Sequence, residues 1–142
     1  MSFRRVGGID MGNIEYVVTA GTAVAEGECL AENGNVVQRA SATSTIHTVA
    51  CIAAQTISTT DALILGTPLL NGPIQLWETD CSNNTAATQL YENMILTDKL
   101  YLDNTDTDVT GPTGIFHCLA VIGAAADKKL LGFFTVLPVT ST

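Results

Sequence analysis

The chain has 142 residues and a formal net charge of −8 at pH 7, and only six of its residues are Lys or Arg. Nucleic-acid binding needs clustered basic side chains that neutralise phosphates, so we predict no nucleic-acid partner. Hydrophobic residues make up 46% of the chain and charged residues only 14%, whereas soluble domains usually carry about 25% charged residues. This deficit indicates that part of the surface is covered by a partner or by other copies of the chain.

The first 14 residues are predicted to form a flexible arm, residues 1–14, in front of a single β domain that covers residues 15–142. The arm contains three glycines and the adjacent residues Arg4 and Arg5, and it has too little apolar surface to become ordered without a partner. No apolar stretch follows the arginines, and no run approaches the roughly 18 apolar residues of a membrane span. We therefore predict no signal peptide and no contact with a membrane.

Short segments rich in Val, Leu, Ile and Thr follow, and turn-forming residues separate them. Strands are predicted in segments 15–19, 28–32, 35–40, 45–55, 61–67 and 72–80. The dipeptide Asn33-Gly34 is typical of a hairpin turn between the second and third of these strands. Because short strands recur without a long helical period, the predicted fold class is all-β, either a small β-barrel or a sandwich built from β-hairpins.

Two segments in the second half of the chain differ from this pattern. In "CSNNTAATQLYENMILTD", residues 81–98, a cap at Asn84 or Thr85 predicts one short helix near 86–94. The polar, acidic segment "LDNTDTDVTGPTG", residues 102–114, is typical of a surface loop. Its acidic residues do not match a calcium-binding EF-hand, because the required Gly and the last Glu are missing, and no metal site is predicted.

The segment "GIFHCLAVIGAAADKKLLGFFTVLP", residues 114–138, contains two apolar runs joined by a polar turn at Asp127 and Lys128. This pattern predicts a β-hairpin that is buried on both faces. Side chains alternate between the two faces of a strand, so one face would fill the core and the other would contact a second subunit. The candidates for such a subunit interface are Trp77, Leu131, Phe133 and Phe134.

Residue types that carry chemistry are few and scattered. His47 and His117 lie within strand-like runs, and Cys118 would face away from His117 on the same strand. No nucleophile elbow, metalloprotease motif or phosphate-binding loop occurs, so we predict no enzyme activity, no catalytic residue and no cofactor. The cysteines form no CxxC pair and are predicted to be buried, reduced thiols: Cys29, Cys51, Cys81 and Cys118.

Residues 81–138 resemble the C-terminal half of small structural proteins of tailed bacteriophages, especially marine ones. The resemblance rests on an Asn-Asn-Thr segment, a Leu-Thr-Asp step, an Asn-Thr-Asp-Thr-Asp loop and a Gly-Ala-Ala-x-Asp-Lys-Lys turn, in that order. The first half, with "VTAGTAVAEGECL" followed by "NGNVVQRASA", is similar in style to the small β-barrel proteins that decorate phage capsids.

The resemblance implies a capsid decoration (cement) protein, made in the host cytoplasm and bound to the outside of the virion. Its partner would be the major capsid protein, and it would stabilise the shell by bridging neighbouring capsomers. It would also be a homo-oligomer, with a trimer favoured. Arg4 and Arg5 would then anchor the N-terminal arm on acidic capsid surface, with Phe3 as an apolar plug.

Two alternative functions also fit the sequence. One is a virion surface module that binds host glycans through Trp77 together with Glu78 and Asp80, which would share one face of a strand. The other is a minor neck or tail-joining protein of the same virion. A concave site with an exposed aromatic ring would favour the first alternative, and ring symmetry with more than three copies would favour the second.

Overall fold

The computed structural model describes residues 2–108 and 111–137, and in these residues the chain forms antiparallel β-sheets and no α-helix. The all-β class is therefore confirmed. In chain order the strands are β1 (Phe3–Gly8), β2 (Ile14–Val17), β3 (Cys29–Asn33), β4 (Val36–Arg39), β5 (Val49–Ala53), β6 (Leu63–Pro68), β7 (Gln75–Asp80), β8 (Asn93–Leu96), β9 (Leu102–Thr107), β10 (Phe116–Ile122) and β11 (Lys129–Phe134).

The strands form two sheets that pack as a sandwich. One sheet has six strands in the order β1-β7-β11-β10-β8-β9, and the other has five in the order β2-β6-β5-β3-β4. Residues of both sheets meet in one large core, whose aromatic rings belong to Phe3, Trp77, Phe116 and Phe134. Of the two predicted architectures, the described residues form the sandwich and not a closed barrel.

The five-stranded sheet also buries its opposite face. Leu30, Cys51 and Ile64 lie in a second, smaller cluster on that side, separate from the main core. The two outermost strands of this sheet, β2 and β4, approach each other around the cluster. Val18, just after β2, forms a parallel bridge with Val37 of β4. Apolar side chains on both faces of β3 and β5 explain why these strands read as continuous apolar runs in the sequence.

The hairpin predicted between segments 28–32 and 35–40 is confirmed as β3 and β4. Asn33 pairs with Val36, so the two turn residues are Gly34 and Asn35, one position later than predicted. Gly34 has a φ of 65°, a backbone conformation that costs glycine little and other residues much more.

The prediction of a flexible N-terminal arm is wrong for residues 3–8, which form β1 and pair with β7. Phe3 is only 1% exposed and contacts Phe134 with ring centroids 5.5 Å apart, so burial of this ring orders the segment. Arg4 donates to Glu78 at 2.7 Å, and the Arg5 guanidinium lies 3.4 Å from Asp10. The N-terminal residues therefore belong to the domain, and Phe3 is not available as a plug for a partner.

The short helix predicted near 86–94 is reduced to a single 3-10 turn, Ala87–Gln89, and β8 begins at Asn93. The Gln89 side chain accepts a hydrogen bond from the Ala86 amide at 3.0 Å and donates one to the Asn104 carbonyl at 2.8 Å. These bonds tie the turn to β9, and the chain then continues into β8, which pairs with β9 and β10.

The prediction of a surface loop at 102–114 is wrong for the first half of that segment. Leu102–Thr107 forms β9, an edge strand paired with β8. Leu102 and the Asn104 side chain are buried, whereas the acidic residues that suggested a loop point outward or lie near the strand end. The Asn104 amide donates to the carbonyls of Asn83 and Asn84, both at 3.1 Å, so the buried polar group is satisfied.

The predicted C-terminal hairpin is confirmed as β10 and β11, with a polar turn at Ala125–Asp127 and Lys128. Only one face of it is fully buried: Leu130 and Phe134 lie in the core. Leu131 and Phe133 are half-buried on the outer face of the six-stranded sheet, so the prediction of two buried faces is wrong for this chain by itself.

An ion pair between a buried glutamate and a partly exposed arginine joins the residue before β3 to the end of β4. The Glu28 side chain is 1% exposed, and the Arg39 guanidinium binds both of its oxygens, at 2.7 and 3.1 Å. This hydrogen bonding raises the pKa of Arg39 above its usual value. Replacing Arg39 by methionine would leave the carboxylate buried without its counter-charge, and we expect the free energy of unfolding to fall by about 2–3 kcal/mol in urea denaturation.

The double variant Glu28→Met/Arg39→Met tests this explanation, because it removes both charges and retains apolar volume. We expect the double variant to recover at least half of the loss, as buried ion pairs replaced by apolar residues usually do. Equal losses in the single and double variants would show that the arginine stabilises the fold through its aliphatic packing and not through the charge.

Candidate protein-interaction surfaces

The outer face of the six-stranded sheet carries a row of three aromatic side chains, Tyr91, His117 and Phe133, which we call the aromatic row. His117 and Phe133 are direct cross-strand partners on β10 and β11, and their ring centroids are 5.0 Å apart. The ring of Tyr91 follows on the other side of His117 at 6.5 Å. The row lies across adjacent strands, where side chains directly opposite each other pack together.

The central imidazole of the row is held in one orientation. His117 Nδ1 lies 2.7 Å from Asn93 Oδ1, and Asn93 is the cross-strand partner of His117 on β8. An amide oxygen only accepts, so in this contact the His117 ring donates from Nδ1 to Asn93 Oδ1. The row is therefore positioned before any partner arrives.

Tyr91 is the most exposed large hydrophobic side chain of the described residues, with 70% of its surface accessible. Its φ is 66°, in the left-handed region, which costs a residue other than glycine about 1 kcal/mol. The amide of Tyr91 donates to the Cys118 carbonyl at 2.8 Å, and the Cys118 amide donates to the Glu92 carbonyl at 3.0 Å. Strained backbone that holds an exposed side chain in place is typical of functional sites.

An apolar pocket of about 350 Å³ is lined by Leu90, the residue before Tyr91 in the sequence. Leu119, the extra residue of a β-bulge in β10, forms another wall. The remaining lining residues are small or apolar: Thr85, Ala86, Ala87, Ala120, Val121 and Ala125. The pocket could accept one apolar side chain of a partner that rests on the aromatic row.

A cluster of four charged residues lies on the same face of the sheet. Arg4 and Glu78 are paired at 2.7 Å, and Lys129 lies 2.7 Å from Asp80 and 3.7 Å from Glu78. The hydrogen bond to Asp80 raises the pKa of Lys129. The prediction that Glu78 and Asp80 share a face is confirmed. Both carboxylates form ion pairs with basic side chains of the same chain.

Two of the four predicted interface residues are core residues. Trp77 is 2% exposed and Phe134 is fully buried, with their ring centroids 5.8 Å apart in an edge-on contact. In β7 the side chains alternate, and Trp77 and Thr79 face inward while Glu78 and Asp80 face outward. Trp77 therefore cannot stack on a sugar or on a second subunit, and the glycan site predicted around it is wrong.

Leu131 and Phe133, the other two candidates, are partly exposed on the outer face of the sheet. Phe133 belongs to the aromatic row, and Leu131 pairs with Glu78 of β7. Both residues are accessible to a partner, and their role in a subunit interface stays a prediction.

A second apolar surface lies along one side of the sandwich, where segments 6–17 and 63–74 run next to each other. We call it the apolar edge. These segments carry eight large apolar side chains that are 39–56% exposed: Val6, Ile9, Met11, Ile14, Val17, Leu63, Leu65 and Ile74. The eight do not share one face, because Ile14 and Val17 are three residues apart on β2 and point to opposite sides. These exposed side chains were not predicted from the sequence, because residues 1–14 were expected to form a flexible arm. The apolar residues of segment 6–14 could have indicated that this segment packs on the domain and is not a free arm.

The residues considered for catalysis are kept apart by the fold. His117 belongs to the aromatic row, whereas the exposed His47 contacts the Leu137 carbonyl. Burial raises the pKa of the cysteine thiols, to about 12 for Cys51 and Cys81 and to about 11 for Cys118. All four cysteines are buried and free, as predicted.

In residues 2–108 and 111–137, no group of three or more His, Cys, Asp or Glu side chains is arranged to hold a metal ion. No helix within these same ranges has the length and hydrophobicity needed to cross a bilayer.

Comparison with known proteins adds no family assignment. No model of a protein family matches the chain. No curated protein matches it significantly either.

Proposed function

We propose that this chain is a structural protein of a tailed-phage virion that binds the outer surface of the capsid and bridges neighbouring capsomers without catalysis. The observation that carries the proposal is Tyr91, an exposed aromatic side chain held in a strained backbone conformation at the end of the aromatic row. A strained backbone conformation lowers the stability of the free chain, so it is typically retained where binding to a partner depends on it.

The sequence resemblance supports the choice of partner. Segment 81–138, which resembles phage structural proteins, contains all three residues of the aromatic row and every residue that lines the adjacent pocket. The candidate contact surface and the resemblance therefore fall on the same half of the chain.

The aromatic row is suited to contact with a protein shell. Tyrosine is enriched among the residues that dominate binding energy. Phe133 packs on His117 with ring centroids 5.0 Å apart, so these two rings lose little conformational entropy on docking. Arg4 and Arg5 are paired with Glu78 and Asp10, so the net charge of −8 is not offset by a free basic arm. We propose that the complementary capsid surface is neutral or basic.

The variant Tyr91→Gly distinguishes an effect on capsid binding from an effect on the stability of the fold. Glycine adopts a φ of 66° without strain, so we expect the free energy of unfolding to stay the same or to rise by up to about 1 kcal/mol. Binding to expanded empty heads of the parent phage, measured by co-sedimentation, should weaken by about tenfold or more, the loss typical of a central interface tyrosine.

Tyr101→Gly is the matched control, because Tyr101 is also exposed but lies outside the aromatic row. We expect this variant to bind heads as the wild type does. Equal binding by Tyr91→Gly and the wild type would remove the aromatic row from the contact. A wild-type chain that does not bind heads at all would overturn the capsid function and leave the neck or tail-joining alternative.

A further inference from the structure

We propose that an unpaired edge of β10 and the apolar pocket beside it together bind an extended, uncharged segment of a partner protein, which inserts one aliphatic side chain into the pocket. We call these two features the β10 groove, and it consists of residues 119–122 and the residues that line the pocket. The inference deepens the proposed function, because it states which kind of capsid segment would bind. It rests on that function only for the source of the segment.

One edge of β10 is unpaired beyond Cys118. The strand pairs with β11 along its length, apart from the bulge, but it pairs with β8 only at its first two residues. Cys118 makes the last backbone hydrogen bonds on the β8 side, with Tyr91 and Glu92. In the described part of the chain, no further backbone partner reaches residues 119–122 on that side. Backbone groups left unpaired at a strand edge are a template for another strand.

A bulge in β10 coincides with the end of its pairing to β8. Leu119 is the extra residue, and bulges commonly end regular pairing and redirect side chains. Leu119, Leu90 and Val121 line the pocket, whose volume of about 350 Å³ is within the range of roughly 300–1,000 Å³ that is usual for binding sites. Every second side chain of a bound strand points to the same face, so one side chain can enter the pocket while its neighbours stay outside.

A buried hydroxyl without a partner belongs to the wall of this pocket. Thr85 lines the pocket and is only 5% exposed, and its Oγ1 has no hydrogen-bond partner among the residues that the structure describes. Buried hydroxyls are normally paired, because an unpaired one gives up its bonds to water without replacement. Each residue of a peptide carries an amide donor and a carbonyl acceptor, so a bound segment can supply the missing partner. A hydrocarbon ligand could not.

The chemistry of the pocket selects an uncharged segment. None of the residues that line it is charged. A charged side chain buried there would lose its hydration and gain no counter-charge, which is strongly unfavourable. The aliphatic walls instead favour Leu, Ile, Val or Met, whose burial removes apolar surface from water.

The β10 groove is continuous with the aromatic row. The Tyr91 amide donates to the Cys118 carbonyl at 2.8 Å. The chain neighbours of these two residues, Leu90 and Leu119, both line the pocket. A segment that rests on the aromatic row can therefore continue along the unpaired edge of β10, and the two contacts form one binding surface.

Titration of the isolated protein with the peptide acetyl-Thr-Val-Leu-Val-Thr-amide tests the proposal without capsids. We expect the NMR amide resonances of residues 119–122 to shift as the peptide is added. A peptide with Asp in place of Leu should bind at least about tenfold more weakly, because the pocket offers a carboxylate no partner. The variant Ala87→Phe should weaken binding of the leucine peptide by about tenfold or more, since Ala87 is exposed, lines the pocket and would occupy it with a ring.

Ala126→Phe is the matched control for Ala87→Phe. Ala126 is also exposed and also lies in a 3-10 turn, but it does not line the pocket, so we expect this variant to bind the peptide as the wild type does. Thr85→Val removes the unpaired hydroxyl and keeps the shape of the side chain. We expect it to weaken peptide binding about fivefold, while the midpoint of thermal unfolding stays the same or rises. A purely structural role of Thr85 would lower the midpoint and leave binding unchanged.

Three results would overturn the proposal: no binding of the leucine peptide, equal binding of the leucine and aspartate peptides, or equal binding by Ala87→Phe and the wild type. Equal affinity for 4-methylpentanamide would also overturn it, because that small molecule cannot extend a sheet. Co-sedimentation with empty heads separates this inference from the proposed function. A wild type that binds the peptide but not the heads would overturn the capsid function and support the β10 groove. Equal head binding by Ala87→Phe and the wild type would overturn the groove as the capsid contact.

Discussion

Replacing Phe134 by alanine is expected to lower the free energy of unfolding by about 4 kcal/mol, while the same change at Phe133 should cost about 1 kcal/mol. Phe134 is fully buried, and its ring lies 5.2 Å from the ring of Phe116, with Phe3 and Trp77 on its other sides at 5.5 and 5.8 Å. Truncation would open a cavity where three rings meet, and the rings cannot close it without leaving their own strands.

Phe133 is the matched control because it is the adjacent residue on the same strand and the same amino acid. Its ring is half-buried on the outer face and packs mainly on His117, so less surface is lost on truncation. Urea unfolding followed by Trp77 fluorescence measures both variants, since the single tryptophan lies in the affected core. Similar losses at the two positions would contradict the arrangement in which the faces of β11 differ.

The variant Gly132→Ala is expected to cost about 3 kcal/mol and to reduce the yield of folded protein. A methyl group at Gly132 would overlap the backbone carbonyl of His117 and would lie 2.6 Å from Phe116 Cε1. A carbonyl of the neighbouring strand cannot move without breaking the pairing of β10 and β11. The glycine therefore allows the close approach of two central strands beneath an aromatic ring.

Gly7→Ala is the control for this effect, because Gly7 also lies in a strand of the six-stranded sheet. The nearest atom to a methyl group at Gly7 is Leu76 Cδ1, at an ordinary contact distance of 3.5 Å. We expect this variant to be neutral or to gain about 0.5 kcal/mol, since alanine loses less backbone entropy on folding. The midpoints of thermal unfolding measure both variants. Equal decreases in the two midpoints would contradict the steric explanation.

Several features of the fold follow from local sequence patterns alone. The two near-continuous apolar runs that form β10 and β11, joined by the polar residues Asp127 and Lys128, were sufficient to predict the C-terminal hairpin. Regular turn residues predicted the all-β class, and the isolated positions of the cysteines predicted buried thiols. These signals act over a few residues, because strand alternation and turn formation depend on the nearest neighbours in the chain.

The candidate surfaces were decided by tertiary structure. Phe3 is ordered because β1 pairs with β7, far away in the sequence, and no local pattern in a glycine-rich segment reveals that partner. The left-handed backbone of Tyr91 depends on its hydrogen bond to β10, and the apolar edge exists only where segments 6–17 and 63–74 meet. The sequence by itself determined the all-β class and the hairpins β3–β4 and β10–β11, whereas local patterns did not reveal β1, β8 and β9 as strands. Which strands pair, and hence which side chains are left at the surface, was decided by the burial of the aromatic core, which sums contacts between distant segments.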